Sequence, residues 1–128
     1  MAADILIVDD EADICELVAG ILQDEGYATR VAHNSDSALA AIQAACLANL
    51  ENGVQDPVLR EKLRPTYRAA CKRLIISSDF YAAIQRPHAT LVTEGIERIE
   101  PGGIRTRDGH PHELDVLVLA TGFRVERF

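Results

Sequence analysis

The sequence contains no tryptophan, and aromatic residues make up only 5% of its 128 residues. Stacking platforms for nucleic-acid bases are therefore scarce. Basic residues are also in the minority, with 13 Lys and Arg against 20 Asp and Glu and a net charge of −7. A nucleic-acid groove and contact with an anionic membrane surface both need clustered cations. We therefore expect neither nucleic acid nor membrane as a partner.

Cysteine is rare, and no hydrophobic run is long enough to span a bilayer. Cys15, Cys46 and Cys71 are widely spaced and odd in number, and none belongs to a CxxC motif. This pattern is typical of reduced thiols in a cytosol. The longest apolar stretch, ALAAIQAACLANL, is too short for a membrane helix, and the N-terminus lacks a signal-peptide pattern. We expect a cytoplasmic protein.

The first third of the sequence has the periodicity of a β-α-β-α fold. Residues 4–8, DILIV, form a continuous apolar run that is typical of a buried parallel strand. Apolar residues recur at helical spacing over residues 14–22, and residues 27–32 predict a second strand. Asn34 or Ser35 suits the start of a second helix. This order of elements predicts a parallel sheet with right-handed crossovers.

The remainder predicts a short helix, further strands and a β-meander. Asp56 followed by Pro57 suits a helix start, and residues 73–77 and 89–93 have strand-like composition. Beyond them, alternating segments separated by PGG and DG turns predict an antiparallel meander with a buried last strand in ELDVLVLATG. The predicted fold class is α/β, with a mainly parallel sheet, flanking helices and a C-terminal antiparallel meander.

Two adjacent carboxylates, Asp9 and Asp10, directly follow the first predicted strand. Like charges at the end of a buried segment repel each other and resist burial. A solvated strand end would accommodate them. So would a bound cation, since carboxylate oxygens at the carboxyl end of a parallel strand suit Mg²⁺. The residues alone leave both interpretations open.

Residues 1 to about 42 resemble the receiver domain of bacterial two-component response regulators. The resemblance is carried by ILIVDDEAD, ICELVAGILQDEGY and VAHNSDSALAAI. It implies a doubly wound α/β fold, phosphorelay signalling with a histidine kinase as partner, and Mg²⁺ binding by Asp9 and Asp10. The third strand, which would end in the phosphoacceptor aspartate, does not follow, and neither does the late Lys-Pro signature.

Asp79 is the one weak candidate for a substitute phosphoacceptor. It follows the predicted strand at residues 73–77, and it would approach Asp10 if that strand lay beside DILIV. Thr93, at the end of another predicted strand, would then supply a phosphate-contacting hydroxyl. The favoured alternative is that Asp79 caps the helix FYAAIQR, with its oxygens bonded to backbone N–H groups. We therefore expect no phosphoacceptor.

From about residue 46 to residue 128 the sequence resembles flavin-dependent Baeyer–Villiger and related monooxygenases. The segments DPVLREKLRPTYRAACKRLIISSDFYAAIQRPHATLVTEGIERI and DVLVLATGF carry this resemblance. It implies a parent enzyme that uses FAD and NADPH, with Ala120, Thr121 and Gly122 close to the flavin. No GxGxxG turn occurs in the sequence, so the phosphate cradles of both cofactors are missing. We expect neither FAD nor NADPH to bind.

Together, the two resemblances predict a chimera of residues 1–45 and residues 46–128, which forms either a merged or an imperfect globular unit. We expect no intact evolved activity, with a residual acidic Mg²⁺ site in the first part. The alternative is a catalytically incomplete fragment of an FAD- and NADPH-dependent monooxygenase. The apolar last strand also predicts self-association, because an unpaired strand attracts a second chain.

Three other features each have a binding and a plain structural interpretation. His88, His110 and His112 form either a metal set or, as we favour, solvated loop histidines. The basic stretch of residues 60–73 lies beside the nucleotide domain in the parent family, but a solvated helix face with acidic neighbours is the simpler interpretation. Cys71 is either activated by its cationic neighbours or buried.

Overall fold

A computed structural model describes residues 3–75 and 77–122 of the chain. The chain divides into two units, Met1–Leu91 and Val92–Phe128, which are described separately. The described part of the first unit contains a parallel pair of strands and four helices, and that of the second contains a three-stranded antiparallel sheet. This mixed α/β architecture confirms the predicted fold class.

The parallel pair of the first unit consists of β1 (Asp4–Val8) and β2 (Ala28–Ala32), which are in register along their whole lengths. Helix α1 (Ala12–Asp24) connects them and contacts both strands. Gly26 follows the helix with a φ of +86°, a conformation that favours glycine and that turns the chain into β2. The β-α-β start of the chain is therefore as predicted.

Helix α2 (Ser35–Gly53) is the longest described helix, with 19 residues. It begins where the sequence predicted, because the Asn34 side chain accepts a 2.8 Å hydrogen bond from the Ser37 N–H. It contacts β1 and β2, and also the two helices that follow it. The region in which the two sequence resemblances meet therefore lies inside one continuous helix.

Helix α3 (Pro57–Leu63) also starts as predicted. The Asp56 side chain accepts a 2.8 Å hydrogen bond from the Val58 N–H, and Pro57 occupies the first helical position, where an N–H is not needed.

Helix α4 (Phe80–Ile84) is tied to the end of α2 by one glutamine. The Gln85 amide nitrogen donates to the Gly53 carbonyl oxygen at 2.8 Å, and its amide oxygen accepts the Gln55 N–H at 2.9 Å. This side chain therefore satisfies backbone groups that the end of α2 leaves open.

The apolar core of this unit is small and comes from both parts of the sequence. The buried apolar residues among those described are Cys15, Ala32, Ala38, Leu50 and Val54. The first three belong to the response-regulator-like part and the last two to the other part. No described helix is long and apolar enough to cross a membrane.

The second unit contains an antiparallel meander, as predicted, but its third strand lies at residues 111–113 and shares only its last residue with ELDVLVLATG. Strands β3 (Ile96–Glu100), β4 (Gly103–Thr106) and β5 (Pro111–Glu113) pair antiparallel in that order. Gly103 has a φ of +155°, and a Cβ atom there would collide with the backbone of His112 on β5. The second glycine of the PGG turn is therefore required by the close approach of β4 and β5.

Three predicted strands are wrong. Residues 73–75, 77 and 89–93 form no strand, and Ile76 lies outside the described residues. Residues 114–122 form none either, while Phe123, which completes the ATGF sequence, is not described. Ile75 is 85% exposed and Val118 is 79% exposed, so these segments are not buried. Apolar composition favours a strand only where a neighbouring strand supplies hydrogen bonds and a covered face, and these segments have neither.

Candidate functional site

The acidic pair lies where the sequence predicted it, at the carboxyl end of β1. Asp9 and Asp10 follow Val8, the last residue of that strand. The Asp9 N–H donates to the Ala32 carbonyl oxygen at 3.1 Å, which continues the pairing of β1 and β2 by one residue. Asp9 is half-buried and Asp10 is exposed. The pair therefore reaches solvent at the edge where the parallel strands end.

Asp9 is held through both its side chain and its main chain. Its Oδ1 atom accepts a 2.9 Å hydrogen bond from the Glu11 N–H, immediately before α1. The Cys15 thiol, which is 1% exposed, donates to the Asp9 carbonyl oxygen over 3.5 Å. The Glu11 N–H orients the Asp9 carboxylate and the Cys15 thiol holds the main chain beside it, so the position of Asp9 is partly pre-organised.

The pair fits a hydrated magnesium ion better than a fully protein-coordinated metal. Among residues 3–75 and 77–122, no group of three or more His, Cys, Asp and Glu side chains is placed to hold a metal ion. Mg²⁺ dehydrates reluctantly and is often held by one or two carboxylates while it keeps several waters. Mg²⁺ binding by Asp9 and Asp10 therefore stays a prediction that the donor chemistry supports.

Asp79 stands at the N-cap position of α4, but its side chain does not cap the helix. Its Oδ1 atom accepts a 2.8 Å hydrogen bond from the Ser77 hydroxyl. The Phe80 N–H, the first of the helix, donates to the Ser77 oxygen at 3.2 Å. The predicted bonds from Asp79 to the backbone are therefore wrong, because Ser77 satisfies the helix start in its place.

The structure also lacks the strands on which an acceptor role for Asp79 depended. Residues 73–75 do not form a strand beside β1, and Thr93 does not end one. An acyl-phosphate site needs its aspartate held close to the bound cation. Within the described residues, no metal-binding group of three brings Asp79 together with the acidic pair.

The three residues that the second resemblance placed near a flavin lie outside any strand. Ala120, Thr121 and Gly122 are exposed, and Gly122 has a φ of +82°. A positive φ is a conformation that favours glycine. Because the buried strand predicted in this segment is not formed, a role of these residues in cofactor binding stays a prediction.

A polar cluster around Thr106 was missed by the sequence analysis. The Thr106 side chain is fully buried and donates to Asp108 Oδ1 at 2.6 Å, with the His110 carbonyl oxygen as a second, more distant acceptor at 3.1 Å. Its oxygen also lies 3.2 Å from His112 Nε2. A hydroxyl has only one hydrogen, so we assign the hydrogen of the His112 contact to the histidine nitrogen. Thr106 therefore links the turn before β5 to β5 itself.

Hydrogen bonds within this cluster lower the pKa of the Asp108 carboxyl group. The hydrogen bond from Thr106, followed by that from the His110 N–H, holds the pKa of Asp108 below its usual value of 3.8. Both bonds favour the ionised carboxylate. The sequence did contain a signal for this cluster, since Thr and Asp beside a DG turn commonly bond across that turn.

The three histidines considered as a metal set have different environments in the structure. His110 is exposed, with Nδ1 3.6 Å from Asp108 Oδ2, as a solvated loop histidine would be. His112 is half-buried on β5 and contacts Thr106, so its assignment as a loop residue is wrong. His88 is exposed. In the part of the chain that the structure describes, these side chains build no three-ligand metal group.

The basic residues around α3 make contacts within their own unit. Arg60 donates through Nε and Nη2 to the Val54 carbonyl oxygen, at 2.9 and 2.7 Å. Arg64 pairs with Glu61 at 3.2 Å and with Glu51 at 3.5 Å. The acidic neighbours predicted from the sequence are thus present, and the two arginines stabilise the junction of α2 and α3.

Comparison with known proteins gives two separate similarities. An uncharacterized monooxygenase of Mycobacterium tuberculosis is 52% identical over 87 residues, which are 68% of this chain and 17% of that protein. A Baeyer-Villiger monooxygenase of Streptomyces coelicolor is 34% identical over 87 residues, again 17% of its length. The nitrogen assimilation regulatory protein NtrX of Azorhizobium caulinodans is 68% identical over 44 residues, which are 34% of this chain and 10% of the regulator.

The chain joins a response-regulator-like segment to a monooxygenase-like segment. Both resemblances inferred from the sequence are confirmed. No family model and no solved structure matches the chain. The chimera spans 17% of the length of the two monooxygenases and 10% of the regulator. The activities of those whole proteins are therefore not assigned to the chimera.

Proposed function

We propose that the chimera retains a weak Mg²⁺ site at Asp9 and Asp10 and performs the reaction of neither parent. The observation that carries this proposal is the placement of both carboxylates at the carboxyl end of β1, with Asp9 oriented by the Glu11 N–H. Two carboxylates and several waters form an acceptable magnesium shell, and so few charged ligands give an affinity on the order of millimolar. A histidine kinase partner is suggested only by the resemblance to response regulators, and it is not part of this proposal.

Mg²⁺ titration of the full chain, followed by amide NMR, tests this site. We expect saturable shifts at residues 9–11 that disappear in Asp10→Asn. Asp36→Asn is the matched control, because Asp36 is also an exposed acid near a helix start, in the first turn of α2. The Asp10→Asn variant should be as stable as the parent or more so, since repulsion between adjacent carboxylates is relieved.

Two results of this titration would contradict the proposal. The first is an unchanged titration of Asp10→Asn, and the second is an equal loss of binding in Asp36→Asn.

Phosphotransfer is not part of the proposed function. The Ser77 hydroxyl already donates to Asp79, and residues 73–75 form no strand beside β1. An aspartate that is not aligned with the cation gains no proximity advantage in an in-line reaction.

The longer similarity supports a second candidate, an incomplete fragment of an FAD- and NADPH-dependent monooxygenase. Even so, we expect the purified chimera to retain neither cofactor at micromolar concentrations. The pyrophosphate of a dinucleotide is usually cradled by a glycine-rich turn at a helix N-terminus, and no GxGxxG occurs in the sequence. An absorbance spectrum and titration with FAD check this, and a yellow, flavin-retaining protein would favour the second candidate.

A further inference from the structure

A cavity of ≈ 310 Å³ opens beside α2, and neither the acidic pair nor Asp79 lines it. It is lined by Leu47 and Leu50 of α2, Leu63 of α3 and Tyr81 of α4. Leu50 is only 2% exposed, so the cavity reaches down to the apolar core. This volume lies at the lower end of the range of about 300–1,000 Å³ that small-molecule sites occupy.

Residues 65–75 contribute one wall of the cavity, and several apolar side chains of this wall are exposed to solvent. Tyr67 is 46% exposed, Leu74 is 52% exposed and Ile75 is 85% exposed. Apolar surface that is exposed beside an apolar cavity is covered favourably by an apolar ligand. The occupant that this lining suits therefore has an aliphatic or aromatic body.

The charges at the cavity have one sign. Lys72 and Arg73 line it, and none of the described lining residues is Asp or Glu. The Lys72 ammonium lies 4.4 Å from the centre of the Tyr67 ring, which holds the cation beside the apolar lining. An apolar body and one negatively charged end together match this lining.

The backbone of the same segment is strained. Ala70, which lines the cavity, has a φ of 64°, and it is the one non-glycine residue with positive φ among those described. An alanine in the left-handed region costs conformational energy, and such residues occur preferentially where a ligand is bound. This observation points to the same wall of the cavity independently of its lining chemistry.

We propose that this cavity binds a small amphipathic carboxylate, such as decanoate. The apolar chain contacts Leu47, Leu50 and Tyr81, and the carboxylate lies at Lys72 and Arg73. The site requires neither the magnesium proposal nor the activity of either parent.

Cysteine alkylation provides a direct footprint, because the three thiols differ in their relation to the cavity. Cys46 is exposed and lines it, Cys71 is exposed but is not among its described lining residues, and Cys15 is buried. The exposure of Cys71 also shows that the burial interpretation made from the sequence is wrong. We expect saturating decanoate to slow the alkylation of Cys46 by iodoacetamide several-fold and to leave the rate at Cys71 unchanged. Peptide mass spectrometry of the full chain measures both rates.

Matched probes and variants test separately the location of the site and the negative charge of its ligand. Decanol tests the charge of the ligand, and it should protect Cys46 less than decanoate does. Lys72→Met should weaken protection by decanoate, whereas Lys62→Met, a neutralised lysine that does not line this cavity, should not. Unprotected Cys46, or equal slowing at Cys46 and Cys71, would overturn the site. Equal protection by decanol, or full protection in Lys72→Met, would overturn the assignment of an anionic ligand.

Discussion

Thr106 connects three parts of the second unit through its buried hydroxyl. It is the one fully buried polar side chain among the described residues, and it contacts Asp108 and His112. A buried hydroxyl is acceptable only when it is hydrogen-bonded, and here it also stabilises an ionised carboxylate.

The sequence predicted the position of the acidic pair because a strand end is recognisable locally. It did not predict the Thr106 cluster, because its partners depend on how β4 and β5 pair.

Thr106→Val removes the hydroxyl and keeps the shape, so it tests this cluster. The folded unit holds the pKa of Asp108 below its usual value of 3.8, with the Thr106 bond as the largest cause. The ionised carboxylate therefore contributes stability above that pH, and the contribution is lost as the pH falls through the folded pKa. In Thr106→Val we expect the Asp108 pKa to rise towards its usual value, with less loss of stability on acidification.

Residue-specific NMR titration of the Asp108 carboxyl is the appropriate measurement. Glu100 also has a lowered pKa, caused first by its hydrogen bond with Arg105, and it would contribute to any global acid transition. Thr93→Val is the control, because Thr93 is an exposed threonine of the same unit. An unchanged Asp108 titration in Thr106→Val would show that the hydroxyl does not stabilise the carboxylate.

At the scale of whole elements, structure specified by neighbouring residues was predictable and structure that needs distant partners was not. The caps at Asn34 and Asp56 fixed the starts of α2 and α3, because a cap bonds to residues two or three positions away. The first two strands and both turns of the meander were also predicted, since the turns are encoded by PGG and DG. Residues 73–75 and 114–122 have strand composition, but strand propensity largely reflects packing against neighbours. Without that context the same apolar residues remain exposed.

Asn34→Ala tests how far a single cap supports α2. The Asn34 side chain accepts the Ser37 N–H at 2.8 Å, and loss of such a cap typically costs about 1 kcal/mol. We therefore expect a lower free energy of unfolding of the first unit, measured by urea titration and circular dichroism. Asn49→Ala is the matched control, since Asn49 is an exposed residue inside the same helix and alanine favours helices. That control should be neutral or slightly stabilising, and equal destabilisation by both changes would contradict a capping role.

At the scale of the whole molecule, the boundary between units does not coincide with the boundary between resemblances. The units separate after Leu91, whereas the resemblances meet near residue 45, inside α2. A helix continues across such a join because its hydrogen bonds run between residues four positions apart. Leu50 and Val54 from the second segment are buried in the unit that contains the whole first segment. The core of the first unit therefore contains residues from both segments.

Residues 116–119 form an exposed apolar segment. Val116, Val118 and Leu119 are 75%, 79% and 73% exposed. An apolar segment with high strand propensity, an unpaired backbone and no charge favours pairing between copies. We therefore expect the chimera to self-associate as its concentration rises, and we expect Val118→Lys to reduce the association because a central lysine opposes strand pairing. Sedimentation velocity over a concentration series measures the association.

Val58→Lys is the matched control, since Val58 is 65% exposed on α3 and receives the same charge. A wild-type chain that stays monomeric throughout, or an equal effect of both lysines, would show that residues 116–119 do not bring copies together.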